Sequence, residues 1–250
     1  MAILSRIEFP LTIKVNGPLH IGTGFARGLL NRTVVKGRDG LVYIPGSVIK
    51  GKARAASEAL ARQYGMADCR APHPHRMREG ISADKPCLIC NIFGAPGSGS
   101  RLRWNLAQLT PAWRMALKPN PKQDSALGQT TNRTQVQLSR KRGMALEARL
   151  YTSELVTEGL EFQSKPALSG QLQLTPVTLA EEADVYYELI LLFAGLKLTR
   201  FLGGGVSRGG GECEFPVEEE DVTIDGRIVP VKRQLDHAHL LEFYKEEMGS

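Results

Sequence analysis

Residues 3 to 15 alternate in polarity. Ile3, Ile7, Phe9, Leu11, Ile13 and Val15 share one face, with only Ser5 interrupting, and Arg6, Glu8, Thr12 and Lys14 take the other. A period of two predicts a strand with one buried face. In "YIPGSVIKGKARAASEALARQYG" the period lengthens to that of a helix. Ile49, Ala53, Ala56 and Leu60 face the core, Lys50, Arg54, Ser57 and Ala61 lie on another face, Ser47 is the expected N-cap and Gly65 the stop. "RLRWNLAQL" predicts a strand with Leu102, Trp104, Leu106 and Gln108 on one side. From Pro111 to Arg142 apolar anchors are few, and "MALEARLYTSELV" and "LEFQSKPALSGQLQL" return to strand-like composition. A second helix is expected in "TLAEEADVYYELILLFAGLKLTRFL", with a capping box at Thr178–Glu181 and a buried stripe of Val185, Leu189, Leu192 and Leu196. "GECEFPV" is a strand, "VTIDGRIVPV" a hairpin turning at Asp-Gly, and a short amphipathic helix closes the chain near Leu240. This order predicts an α+β, ferredoxin-like unit with two helices on one face of an antiparallel sheet.

Composition narrows the class. At 250 residues, 42% hydrophobic and 23% charged, the chain can bury a core as one large domain or two small ones and is not disordered. No apolar run approaches bilayer length, and "MAILSRIEFP" lacks the apolar core of a signal peptide. The expectation is a cytoplasmic protein with no membrane partner, and Gly249-Ser250 matches a cloning scar. The net charge of +6 is unevenly spread: Arg101 to Arg149 holds ten Lys/Arg against two acids, whereas "GECEFPVEEEDV" is acidic. A basic tract so localised points to a polyanionic partner, most simply nucleic acid, against the plainer reading of a solvated face.

Three stretches carry candidate chemistry. "FLGGGVSRGGGECEF", residues 201 to 215, holds six glycines and one arginine, a composition that lets another backbone or a phosphate chain come close. Lys50 and Arg54 stand one turn apart near a helix start, where open N–H groups favour an anion. "CRAPHPHRMREGISADKPCLIC" contains Cys69, His73, His75, Cys87 and Cys90. A Cys-x-x-Cys pair suits tetrahedral zinc, completed by Cys69 and one histidine. The spacing leaves His73 and His75 open, with His75 preferred because the longer loop back to Cys69 strains less across Pro72 and Pro74. Four protein ligands make that zinc structural. "GAPGSGS" lacks the Lys-Ser/Thr of a phosphate loop, which argues against nucleotide hydrolysis.

"LHIGTGFARGLLNRTVVKGRDGLVYIPGSVIKGKAR", "NIFGAPGSGSRL" and "FLGGGVSRGGGECEF" together resemble the RAMP superfamily of CRISPR-associated proteins, nearest to the backbone subunits of type III effector complexes and their III-D branch. The resemblance covers about residues 5 to 217. It implies one RAMP-type domain over residues 1–248: an RNA-recognition-like palm, a zinc insertion at 66–96 like those of III-D and fused single-chain effectors, and a protruding basic thumb within 110–150. The implied partners are a guide RNA (crRNA), a target RNA and further effector subunits stacked along the guide. Lys50, Lys52 and Arg54 would lie against guide phosphates. The glycine loop, with Gly203, Gly204, Gly205, Arg208 and Gly209, would approach the RNA backbone, and the thumb would contribute Arg133, Gln135, Arg140 and Arg142.

Aligned on Val34-Val35, the resemblance places Asn31 where target-cutting members carry an aspartate, with Leu30 the nearby alternative and Asp39 the next candidate. Those members use a divalent ion such as Mg²⁺. An amide neither ionises nor takes a proton near neutral pH, so the expectation is intact binding and slow cutting. Either a silent paralogue or a substitution made to trap uncut target would have that character. His20 is a lone histidine expected to be structural; as a general base it would instead mark a guide-processing endoribonuclease. A zinc-finger nucleic-acid-binding protein outside CRISPR is the third reading.

Overall fold

The computed structural model describes residues 3–66, 87–96, 99–117 and 128–247. Strand β1 (Ile3–Val15) leads through a long loop to β2 (Tyr43–Ile44) and helix α1 (Gly46–Gln63). Helix α2 (Leu88–Phe93), strands β3 (Leu102–Trp104) and β4 (Ala107–Leu109), and helix α3 (Pro111–Ala116) follow. Strands β5 (Thr130–Leu138) and β6 (Ala145–Val156) form a separate two-stranded ribbon before β7 (Glu161–Leu174). Helix α4 (Tyr187–Lys197), strands β8 (Cys213–Glu214), β9 (Asp221–Ile224) and β10 (Arg227–Pro230), and short helices α5 (Val231–Asp236) and α6 (Tyr244–Glu247) complete the chain.

The main sheet is antiparallel, ordered β10-β9-β1-β7-β4-β2, with β3 also on β7 and β8 also on β1. The alternation of β1 holds from Ser5 onward: Ser5, Ile7, Phe9, Leu11, Ile13 and Val15 are buried on one face, whereas Ile3, expected on that face, is exposed at the start of the strand. Helices α1, α2 and α4 pack on one another over that face, and Phe9 meets Phe193 of α4 at 4.8 Å between ring centroids. Asp225 and Gly226 both take positive φ at the β9–β10 turn, as an Asp-Gly hairpin requires. Leu240 and Leu241 are buried in a 3₁₀ stretch rather than in an α-helix.

Four local expectations need correction. Pro45, not Ser47, stands at the N-terminus of α1, its carbonyl accepting from the amides of Val48 and Ile49. The buried face of α1 is Ile49, Ala53, Ser57 and Ala61, because Gly195 of α4 lies so close that a Cβ there would collide with the Ser57 hydroxyl. Ser57 Oγ donates to the Leu191 carbonyl across this helix contact, so a polar residue fills an apolar position without losing its hydrogen bond. The strand expected over 101–109 breaks after Trp104: the Asn105 amide donates to the Ala167 carbonyl, and Leu102, Ala107 and Leu109 turn inward while Leu106 is exposed. Finally, α4 starts at Tyr187, far past the supposed capping box, and Thr178 instead hydrogen-bonds Glu247. Every residue from Tyr187 to Leu196 is buried, so no stripe distinguishes the faces of α4.

The ribbon strands occupy 130–156, extending beyond the 110–150 stretch expected for the thumb, with α3 at its start and residues 118–127 outside the described set. Among the described residues, no helix is long and apolar enough to cross a membrane.

Candidate nucleic-acid interface

The glycine stretch is an ordered loop, pinned at both ends. The Leu202 amide donates to Gly211 O, the Gly211 amide to Pro18 O and the Gly204 amide to His20 O, at 2.8 to 3.0 Å. Gly203 and Gly211 have φ of 65° and 81°, and a Cβ at either would strike a backbone carbonyl, His20 O or Leu202 O. Those two glycines serve the fold itself. Between them, Gly204 to Gly209 are exposed around a 3₁₀ turn at Val206–Arg208, and a Cβ at Gly204, Gly205 or Gly209 would meet open space.

This exposed half faces the base of the β5–β6 ribbon. Gly204, Gly205, Arg208 and Gly210 form one wall of a cleft, and Arg133, Gln135, Ser153 and Leu155 the other. His20, Pro18 and Arg32 close its floor. The side chain of Arg32 lies over the Tyr151 ring at 5.6 Å. Three guanidinium groups thus line one cleft beside bare backbone.

Glu154, on β6, organises the floor. Its carboxylate accepts from the Val34 amide at 3.0 Å and pairs with Lys36 Nζ at 2.6 Å, while its backbone carbonyl receives the His20 ring at 2.9 Å. Burial alone would push the Glu154 carboxyl up, but hydrogen bonds from Lys36, Val34 and Thr130 and the Lys36 charge outweigh it and hold the carboxyl below its ordinary value. A carbonyl only accepts, so His20 Nδ1 carries the hydrogen, and in the neutral ring Nε2 keeps its lone pair. That Nε2 lies over Gly22, where an added Cβ would come within 2.9 Å.

A second cleft adjoins the first and shares His20 and Arg32. Gly22, Gly24, Phe25, Asn31 and Thr33 complete it. Asn31 is exposed there and fixed to β6 twice: its amide donates to Thr152 O at 2.9 Å, and its Oδ1 accepts from the Thr152 amide at 2.8 Å. Asp39 lies apart, paired with Arg114 at 2.9 Å in a different cleft.

The other expected RNA contacts are distributed elsewhere. Arg140 and Arg142 sit in the turn at the ribbon tip, near exposed Leu138 and Met144. Lys50 and Lys52 are half-buried on α1. Burial and the neighbouring Arg54 charge lower the Lys50 pKa, and Lys52 is near enough to the Cys213 thiol to offset part of the burial that pushes it up to about 12. Arg54 turns inward, its side chain 14% exposed, bonding Glu58 at 2.7 Å and the Gly94 carbonyl at 2.8 Å.

Of the zinc set, Cys69, His73 and His75 lie outside the described residues. Cys87 caps α2, its sulfur accepting from the Cys90 amide at 3.4 Å. Cys87 and Cys90 thus stand at one turn, two sulfur donors of the kind that tetrahedral zinc takes. Sequence reading overlooked Arg32, Ser153, Glu154 and Phe25. For Glu154 the signal was present: an acid set between Ser153 and Leu155 in a strand needs a partner when buried.

The described geometry has matches among known proteins. Over 210 residues the chain is 27% identical to the CRISPR system Cms endoribonuclease Csm3 of Methanocaldococcus jannaschii, covering 81% of this chain and 75% of that protein. The sequence model of the RAMP superfamily matches residues 12–214, which take in the end of β1, both clefts, the ribbon and the glycine loop from Gly203 to Gly211. The chain therefore belongs to the RAMP superfamily.

Proposed function

We propose that this chain is a crRNA-binding backbone subunit of a type III CRISPR effector complex, of the III-D branch, that positions complementary target RNA. The observation that carries this reading is the cleft in which Arg32, Arg133 and Arg208 converge with the exposed glycine backbone. Cationic forks beside an exposed glycine backbone that no Cβ screens suit phosphates and 2′-hydroxyls, contacts that hold a guide irrespective of its sequence. The β5–β6 ribbon is the thumb in this reading, its tip offering Arg140, Arg142, Leu138 and Met144 to the RNA. The sheet order β9-β1-β7-β4 with helices α1 and α4 on one face supports a ferredoxin-like palm. Asn31, in the adjoining cleft, is the position facing the target strand, where an aspartate and a divalent ion would support cutting. Cys87 and Cys90 hold a structural zinc with Cys69 and His75 or His73; the metal would tie those ligands to the start of α2.

The test is a salt titration of guide binding. Arg208→Ala and Arg133→Ala are each expected to reduce the slope of log K against log salt by about 0.7, the loss of one phosphate contact on a single strand. Arg54→Ala should leave the slope unchanged and instead destabilise the fold by roughly 3 kcal/mol, because it strands the buried Glu58 carboxylate. An unchanged slope in both cleft variants would refute the reading.

A second reading is favoured by one observation, the His20 ring held with its Nε2 lone pair at the junction of the clefts. It makes the chain a guide-processing endoribonuclease, and requires the isolated protein to cleave repeat RNA and His20→Ala to abolish that cleavage.

A further inference from the structure

Phe25 stands apart from the chain's other aromatic rings. Phe9, Phe93, Phe162 and Phe193 fill the core at no more than 2% exposure, whereas Phe25 is 78% exposed. Its backbone is nonetheless held firmly. The Phe25 amide donates to Thr23 Oγ1 at 3.1 Å, Thr33 Oγ1 donates to the Phe25 carbonyl at 3.0 Å, and the two threonine hydroxyls bond each other at 2.7 Å. The Thr23 amide donates to Thr33 O, and Arg27 and Leu30 exchange a pair of backbone hydrogen bonds beyond them. An ordered loop therefore presents an apolar ring to solvent on the wall of the Asn31 cleft. The surroundings select the kind of partner. Between Phe9 and Arg38 the sequence has five Lys/Arg and no acid, and Arg32 and Asn31 border the same cleft. A flat hydrophobic face in a positive, polar setting matches a nucleobase with its phosphate better than an apolar protein surface.

We infer that Phe25 is a stacking platform for one unpaired nucleobase of the RNA strand that crosses the Asn31 cleft. This rests on the RNA-binding reading above and adds to it a positioning residue for the bound strand. The ring face takes any base, Arg32 takes the adjoining phosphate, and the Thr23–Thr33 lock keeps the ring from collapsing onto the loop. Binding of this kind fixes which nucleotide lies over Asn31 without reading sequence.

The experiment uses the full chain and a single-stranded RNA carrying 2-aminopurine, whose fluorescence is quenched when it stacks. Wild-type protein is expected to alter the quenching on binding. Phe25→Ala and Phe25→Leu should abolish that change and weaken binding about five- to 150-fold, the loss of one stacked base. Phe25→Trp should restore both, a rescue that bulk or loop folding alone would not give. The salt slope should stay as in wild type, since no phosphate contact is removed. If wild type binds RNA with its Arg208-dependent slope while Phe25→Ala leaves quenching and affinity unchanged, the stacking assignment is overturned and RNA binding stands. If Phe25→Ala instead changes only association with another protein subunit, the platform faces protein and the inference is likewise overturned. A folded wild-type chain with no affinity for RNA would overturn both.

Discussion

Asn31 is anchored by two hydrogen bonds to the Thr152 backbone, one through its own backbone N–H and one through its Oδ1, and it lines the cleft. A carboxylate would accept the Thr152 amide equally well, so Asn31→Asp should be tolerated structurally. Within an assembled complex carrying matched target RNA and Mg²⁺, this substitution is expected to raise cutting opposite the subunit by about 10²–10⁴-fold, the usual contribution of a group that can move a proton. Measured cleavage that stays at the Asn31 level would transfer the role to a neighbouring subunit, because Asp39 is already paired with Arg114. Residue identity decided less for the arginines. Arg54 and Arg208 are equally basic in the sequence, yet one is buried against Glu58 and Gly94 and the other is exposed on the cleft wall. Only the packing around each head group separates a structural cation from one available to RNA.

At the scale of elements, the glycine loop divides into two functions that its composition does not reveal. Gly203→Ala and Gly211→Ala place a Cβ against backbone at positive φ and should destabilise the protein by roughly 1–3 kcal/mol or more, read by urea unfolding. Gly204→Ala meets open space, and stability should stay within about 0.5 kcal/mol of wild type while guide affinity falls, because the new methyl holds RNA away. Equal effects of all three on stability would mean that the whole loop is structural. Helix α2 gives a second element-scale expectation. Its first turn holds Cys87 and Cys90, so purified protein should contain about one zinc per chain by elemental analysis, and Cys87→Ser should lose it. Zinc absent from freshly prepared wild-type protein would remove the metal assignment. That Cys87 and Cys90 share one turn was legible because a Cys-x-x-Cys spacing fixes only local geometry. The inward rotation of Ser57 was not, since it depends on Gly195 lying 138 positions along the chain.

At the scale of the whole molecule, Glu188 is a buried acid at the junction of α4, α2 and β7. It is 2% exposed and accepts from the Thr175 amide and hydroxyl and from Asn91. Burial pushes its carboxyl up to about 7, more than the hydrogen bonds from Thr175, its own amide and Asn91 pull it down. The folded protein therefore keeps a proton that the unfolded chain releases above its ordinary value of 4.5. This contribution to stability is full below about 4.5 and is lost as pH rises through about 7, amounting to roughly 3 kcal/mol. Urea unfolding at pH 5 and pH 8 should show wild type losing more stability over that interval than Glu188→Gln, which has no proton to release. Parallel losses in the two proteins would place the titration elsewhere.

What the amino-acid sequence determined by itself was local and periodic. The alternation of β1, the Asp-Gly hairpin of β9–β10, the existence of α1 and α4, the Cys-x-x-Cys turn and the resemblance carried by "IPGSVIKGKAR" with "GGGVSRGGG" all depend on near neighbours in the chain. The tertiary structure decided what required distant segments to meet. It set the true start of α4, broke the strand at Asn105, turned Arg54 inward and left Phe25 outward. It also brought residues 18–32, 133–155 and 204–210 around one cleft through Glu154 and His20, whose partners lie more than a hundred positions away. Side-chain patterning encodes which face of an element is apolar, but which polar group finds a partner is settled only when separate elements pack and the unpaired alternatives become too costly to bury.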